Sequence, residues 1–314
     1  MTDHTLETFV SKAAGARAAC EARAEGPVAA LGPPSDGCER CLPALSEAVD
    51  ALEALHGAMA VFESPVDYSQ GILDLMKAYA WEGRLEKVEE LFHRLPRFPR
   101  SPELDDRLSE GAMVFSMAAL AAGDLPTAEQ CCRDGFPDVT GYLHGARRLE
   151  AAVLIIARRL SDGDYDAAAA FFMPFVPGVR NPSWAPRPVI GESPEERDAR
   201  QGFLRRLADA AGALFDHCER RQLFVEMTEL YEALERLENS DAVLDLRLLK
   251  AASLVRLAVE TGRLSEAVRY YGALSSLSHL DDSGELMSRM LMLLTEAYRD
   301  TGDESAAQRL ISGA

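Results

Sequence analysis

The sequence predicts an all-α chain built as a row of helical hairpins, and three observations carry that expectation. Glycines recur in forty-residue steps at Gly83, Gly123 and Gly163, and again at Gly262 and Gly302, each beside acidic or basic neighbours. Five residues after each glycine comes Val88, Ala128, Ala168, Ala267 or Ala307, and four residues beyond that Phe92, Cys132, Phe172, Tyr271 or Ile311. Ahead of the turns, apolar residues fall on one helical stripe: Leu75, Met76 and Tyr79, then Phe115 and Ala119, Ile155 and Ile156, Leu214 and Phe215, Leu254 and Val255, Leu294 and Tyr298. Self-similarity at a period of 20 to 50 residues marks stacked units, none of which can bury its apolar face alone.

The elements follow in chain order. Leu6, Phe9, Val10, Ala13 and Ala14 stand at helical spacing within residues 5–23, and the Gly- and Pro-rich run from Gly26 to Gly37 reads as a loop. Leu45, Ala48, Leu52 and Leu55 repeat the second-helix pattern one period ahead of Val88, so a degenerate first hairpin is expected there. Ser64-Pro65-Val66-Asp67 opens the next unit: Ser can accept from a free amide, Pro fits the first helical position and Asp suits the positive helix end. Ser101-Pro102-Glu103 and Ser193-Pro194-Glu195-Glu196 repeat that start signal.

After Gly163 the next equivalent position is Gln222, a step of 59 instead of 40, so 19 residues are inserted. Pro174, Pro177, Pro182, Pro186, Pro188 and Pro194 cluster there around Trp184. Loops longer than about 12–15 residues are uncommon and often functional. The insert reads either as a tether between two halves or as a lid over a groove, with Arg180, Trp184 and Arg187 as its contacts. The expected organisation is 1–172 (N-terminal helix, degenerate hairpin, three repeats), 173–200 (Pro-rich insert) and 201–314 (three more repeats).

With these residues in view, the chain resembles a tetratricopeptide repeat (TPR) protein. Leu75, Tyr79, Gly83, Val88, Phe92 and Pro99 follow that family's pattern, as do Ile155, Gly163, Tyr165, Ala168, Phe172 and Pro177, with Ala267 and Tyr271, and Tyr298, Gly302 and Ala307, extending it. The resemblance spans about 64 to 314. It implies a right-handed helical-hairpin solenoid of six to seven repeats whose first helices line a concave face. The step of 40 exceeds the family's 34, which implies longer helices or connections, and the family's first-helix Trp and Gly are replaced.

Composition narrows the function classes. Lys and Arg total 33 against 51 Asp and Glu, a net charge of -18, so nucleic acid and anionic membrane are not expected partners. The polar, acidic opening carries no secretory signal pattern, and the longest strongly apolar run, Ala151 to Ala157, falls short of the ~20 residues of a spanning helix. A cytoplasmic location is expected. Six cysteines, two adjacent at Cys131 and Cys132 in a helical pattern, suit buried thiols of a reducing compartment. Cys38 and Cys41 have the spacing of a metal or redox pair, but only Cys20, His4 and His56 could complete a ligand set, and no strand precedes them. The other histidines, His93, His144, His217 and His279, are scattered, and no phosphate-cradling loop or nucleophile elbow is present. The reading is therefore a non-enzymatic protein without cofactor or metal.

Helical spacing assigns Leu73, Lys77 and Trp81, then Met113, Met117 and Leu120, then Val153 and Leu160 to an apolar N-terminal groove. The corresponding C-terminal columns are charged: Asp209, Asp216 and Glu219, Arg256, Arg289, Glu296 and Arg299, with Leu249, Val259 and Met292 among them. Such a groove suits an amphipathic helix or peptide of another protein, in an adaptor or chaperone role. The same residues can instead pack against the chain's own N-terminal helix or insert. Two other functions follow from the ends and the insert: a structural subunit that associates with further copies through an uncapped C-terminal end, and a sensor whose insert closes on a small ligand.

Overall fold

The computed structural model describes residues 65–95, 101–138, 141–177, 193–280 and 284–313. Those residues form twelve α-helices and no strand. The helices are α1 (Pro65–Trp81), α2 (Leu85–Arg94), α3 (Pro102–Ala121), α4 (Leu125–Gln130), α5 (Tyr142–Ser161) and α6 (Tyr165–Phe172), followed by α7 (Pro194–Arg220), α8 (Phe224–Glu235), α9 (Asp241–Glu260), α10 (Leu264–Ser276), α11 (Glu285–Asp300) and α12 (Glu304–Gly313). The helix expected over 5–23, the degenerate hairpin around 44–55, Cys38 and Cys41, and the lid residues Arg180, Trp184 and Arg187 lie outside the described residues.

Each odd-numbered helix is long and each even-numbered one short. The long helices α3, α5 and α9 have 20 residues apiece, against 10 in α2 and 8 in α6. The forty-residue step is therefore divided unequally, with most of its helix in the first member of each pair.

The sequence signals for starts and stops are the ones the backbone uses. Ser101 Oγ accepts from the Leu104 amide at 3.3 Å with Pro102 at the first helical position. Ser193 and Glu196 close a reciprocal box, each side chain accepting from the other's amide at 3.2 and 2.8 Å. Every long helix that ends in a tight turn does so in the same way: Gly83, Gly123, Gly163, Gly262 and Gly302 have φ of +72°, +80°, +81°, +73° and +80°. The amide after each reaches back to a carbonyl five residues earlier, as Arg84 to Tyr79 at 2.9 Å and Asp124 to Ala119 at 2.8 Å, which is the Schellman closure. Gln222 makes the same turn at φ +56°, with Leu223 donating to Cys218 at 2.9 Å. Counting across the insert thus finds a true structural equivalent, held in a conformation that a side chain resists.

The chain divides into two compact units, Met1–Ile155 and Ile156–Ala314, and the division falls inside α5. In the first unit α1 packs on α2 and α3, and α3 packs on α2 and α4. In the second, α7 meets α6, α8 and α9, while α11 rests on α9, α10 and α12. The predicted stripe forms the core: Leu75, Met76, Tyr79, Phe115, Ala119, Ile155, Ile156, Leu214, Phe215, Leu254, Val255 and Leu294 are buried. Val88, Ala128, Ala168, Ala267 and Ala307 meet them from the short helices.

Three local features refine the pattern. Within the span assigned to the insert, 173–200, α7 begins at its expected Ser193 cap, and Met173–Phe175 form a 3-10 turn whose Phe175 packs 6.1 Å from Phe203. In α10 the buried aromatic is Tyr270, edge-on to Tyr231 at 5.6 Å, while Tyr271 is half-buried. α4 widens at Cys131–Gly135 into a π-helical turn, where a Cβ on Gly135 would stand 2.7 Å from Cys131 Sγ. Absence of that side chain lets the wide turn close.

Candidate interaction surface

In the first unit the long helices present side chains to each other and to solvent, and the two roles alternate by face. Leu73 is fully buried in the α1–α3 interface, because Gly111 on α3 lets the backbones approach. A Cβ at Gly111 would collide with Leu95 Cδ1 and stand 3.3 Å from Leu73 Cδ2. Met117 is also a core side chain, 4% exposed. Lys77, Trp81, Met113, Leu120 and Val153 are half-buried, and Leu160, likewise half-buried, belongs to the second unit. The assigned groove is thus part core and part partially exposed surface, and helical spacing alone could not separate the column that meets the next helix from the column beside it.

Across the same helices runs a row of charges. Lys77 pairs with Glu110, and Arg147 pairs with both Asp106 and Glu110, the latter at 3.8 Å, while also donating to the Asp106 carbonyl at 3.0 Å. The row joins α1, α3 and the start of α5 at side chains 18–38% exposed, where screening leaves each pair a small contribution, about 0–1 kcal/mol.

The second unit repeats the device. Lys250 on α9 bridges Asp216 and Glu219 on α7, the latter at 3.6 Å, and Arg256 joins the same Glu219. Lys250 is the most sheltered member, 11% exposed, with its ammonium 5.8 Å from the Phe215 ring centre. Sequence reading missed Lys250, Arg147 and Asp106. Their signal is opposite charge at a separation near one repeat, 34 residues for Lys250–Asp216 and 37 for Arg256–Glu219.

Large apolar side chains that are strongly exposed are distributed differently from expectation. Leu143 in the first unit is 50% exposed, and Val225, Leu249, Met292 and Ile311 in the second are 52–63% exposed. Leu249 and Met292 stand in the columns read as charged.

Burial opposes the charged form of two thiols and two imidazoles. Burial pushes the Cys132 thiol up to about 12 and the Cys218 thiol up to about 11, so both favour the protonated form. His144 and His217 are shifted below the usual imidazole value, first by burial and then by neighbouring arginines, Arg147 for one and Arg221 and Arg220 for the other. His217 stacks on Tyr165 at 6.3 Å, a packing role. Among the described residues no cluster of three His, Cys, Asp or Glu side chains could hold a metal ion, and no helix is long and apolar enough to cross a membrane.

Comparison with known proteins returns no match: no family model, no curated protein and no solved structure resembles the chain closely enough to name a relative.

Proposed function

We propose that the chain is a TPR-like helical-hairpin solenoid of six to seven repeats, and that it works as a non-enzymatic cytoplasmic scaffold holding an amphipathic helix or peptide of another protein. Supporting the solenoid reading are six turns of one type, each followed five residues later by a fully buried residue, from Val88 to Ala307 and including Met227 after Gln222. The observation that carries the binding reading is the partial exposure of Trp81, Met113, Leu120 and Val153 in the first unit, beside the Lys77–Glu110 pair. Tryptophan and methionine are suited to such surfaces, the first as a rigid anchor and the second as an adaptable contact.

Magnitudes set the expected affinity. Completing the burial of four half-covered side chains contributes about 3–6 kcal/mol, half of the full value for each. Association costs about 4–15 kcal/mol. Apolar contact alone is therefore marginal, and binding is micromolar or weaker, with charge pairing to Lys77 or Glu110 deciding among peptides.

Selection of helical peptides from a random library against the whole chain tests this. Enriched peptides should carry apolar residues at i, i+3 or i+4, and i+7, and should lose about 10-fold or more in affinity to Trp81→Ala or Leu120→Asp proteins that keep their circular dichroism and melting profile. Enrichment of nothing, or of peptides indifferent to both substitutions, would reject the proposal.

A further inference from the structure

In the second unit successive long helices pack on one another, α9 on α7 and α11 on α9. Gly212 on α7 faces Leu246 of α9, a Cβ there standing 3.6 Å from Leu246 Cδ1. Ala252, forty residues on, is 7% exposed on α9, the helix against which α11 packs. Met292 takes the same position on α11 and is 63% exposed. At this one position α11 is open where α9 is covered, while Asp245, Leu249 and Arg256 of α9 are exposed like their counterparts Glu285, Arg289 and Glu296.

The exposed side is a straight stripe: Glu285, Arg289, Met292, Glu296 and Arg299, spaced four, three, four and three, all exposed. Its charges read minus, plus, apolar, minus, plus. Reversed end for end, the stripe reads plus, minus, apolar, plus, minus, so every charge is matched by its opposite. A two-fold axis through Met292 would set Glu285 against Arg299 of a second copy and Arg289 against Glu296, twice each, with the two Met292 side chains in contact at the centre. A parallel alignment would instead oppose like charges at all four charged positions. Arg289 already reaches Glu285 within its own helix, and in the pairing described it would stand between two carboxylates.

We propose that α11 is a homodimerisation helix, pairing antiparallel with α11 of a second copy of this chain. The charge order selects that occupant, since a surface that is complementary to its own reverse fits an isologous two-fold contact. The stripe covers about 21 Å of helix at 1.5 Å per residue, a contact smaller than the ~1,600 Å² of a permanent dimer. Its dissociation constant is accordingly on the order of 10 µM or weaker, and it weakens with salt.

Sedimentation equilibrium of the full chain decides the matter without any substitution. The mass should rise with concentration from 34.3 kDa toward twice that value, and fall back in high salt. A monomer at every concentration overturns the proposal, as does growth past the dimer, which would indicate head-to-tail stacking. Two charge-swapped proteins then locate the contact: Arg289→Glu with Arg299→Glu, whose stripe is all acidic, and Glu285→Arg with Glu296→Arg, whose stripe is all basic. Each alone should stay monomeric, and an equimolar mixture should recover the dimer at least as strongly as the original chain. Dimers that persist in either swapped protein, or a mixture that stays monomeric, place the contact elsewhere and overturn the assignment to α11.

Discussion

The hairpins α9–α10 and α11–α12 are forty residues apart and share one grammar, yet they differ in how much of it is buried. Leu254 and Leu294 are both fully buried, and so are Ala267 and Ala307. Around them the two diverge: Ala252 is 7% exposed where Met292 is 63% exposed, and half-buried Tyr271 corresponds to Ile311 at 52%. Within a hairpin, the contact between its own two helices is fixed by the pattern itself. Contact with a neighbour depends on there being one, and α9 has α7 on one side and α11 on the other. A residue's place in its hairpin thus predicts its inner contacts, while the difference between Ala252 and Met292 follows the neighbouring helix.

The largest test of this difference is a pair of truncations at equivalent core positions. Leu254→Ala should cost about 3–5 kcal/mol and Leu294→Ala about 2–3 kcal/mol, because the surroundings of Leu294 can relax toward solvent on one side. Urea unfolding followed by circular dichroism measures both, and equal costs would show that neighbour coverage does not matter at this depth. Next come the turns, which belong to the hairpin alone. Gly262→Ala and Gly302→Ala should each cost about 1–2 kcal/mol, since both hold positive φ and nothing crowds a Cβ at either site. A clear inequality between them would mean that the turns also feel their neighbours. The converse change, Gln222→Gly, should stabilise by roughly 0.5–1 kcal/mol by releasing a side chain from the left-handed region. Smallest is Met292→Ala, expected within about 0.5 kcal/mol of the original protein at monomeric concentrations. A larger loss there would show that the exposed face is covered in the monomer.

Much of the helical pattern was legible because its punctuation is local. A glycine that must adopt positive φ, a Ser-Pro start and a helical apolar stripe are each decided within a few residues, and even Gln222 was found by counting through an irregular spacing. What escaped depends on partners distant in sequence. Leu73 read as groove because spacing gives a face of α1 without saying that Gly111 brings α3 onto it. Tyr270 displaced Tyr271 because the packing partner, Tyr231, lies on another helix. The charge rows through Glu110 and Lys250 were invisible one helix at a time and become readable only when successive hairpins are aligned on their turns.

The sealed thiols of Cys132 and Cys218 have a practical consequence. Alkylating reagents attack the thiolate, and a buried thiol whose protonated form is favoured offers almost none of it at neutral pH. Labelling at Cys132 and Cys218 therefore waits for the surrounding helices to part, so the rate of modification, resolved by peptide mass, times the breathing of the α4 turn and of α7 separately.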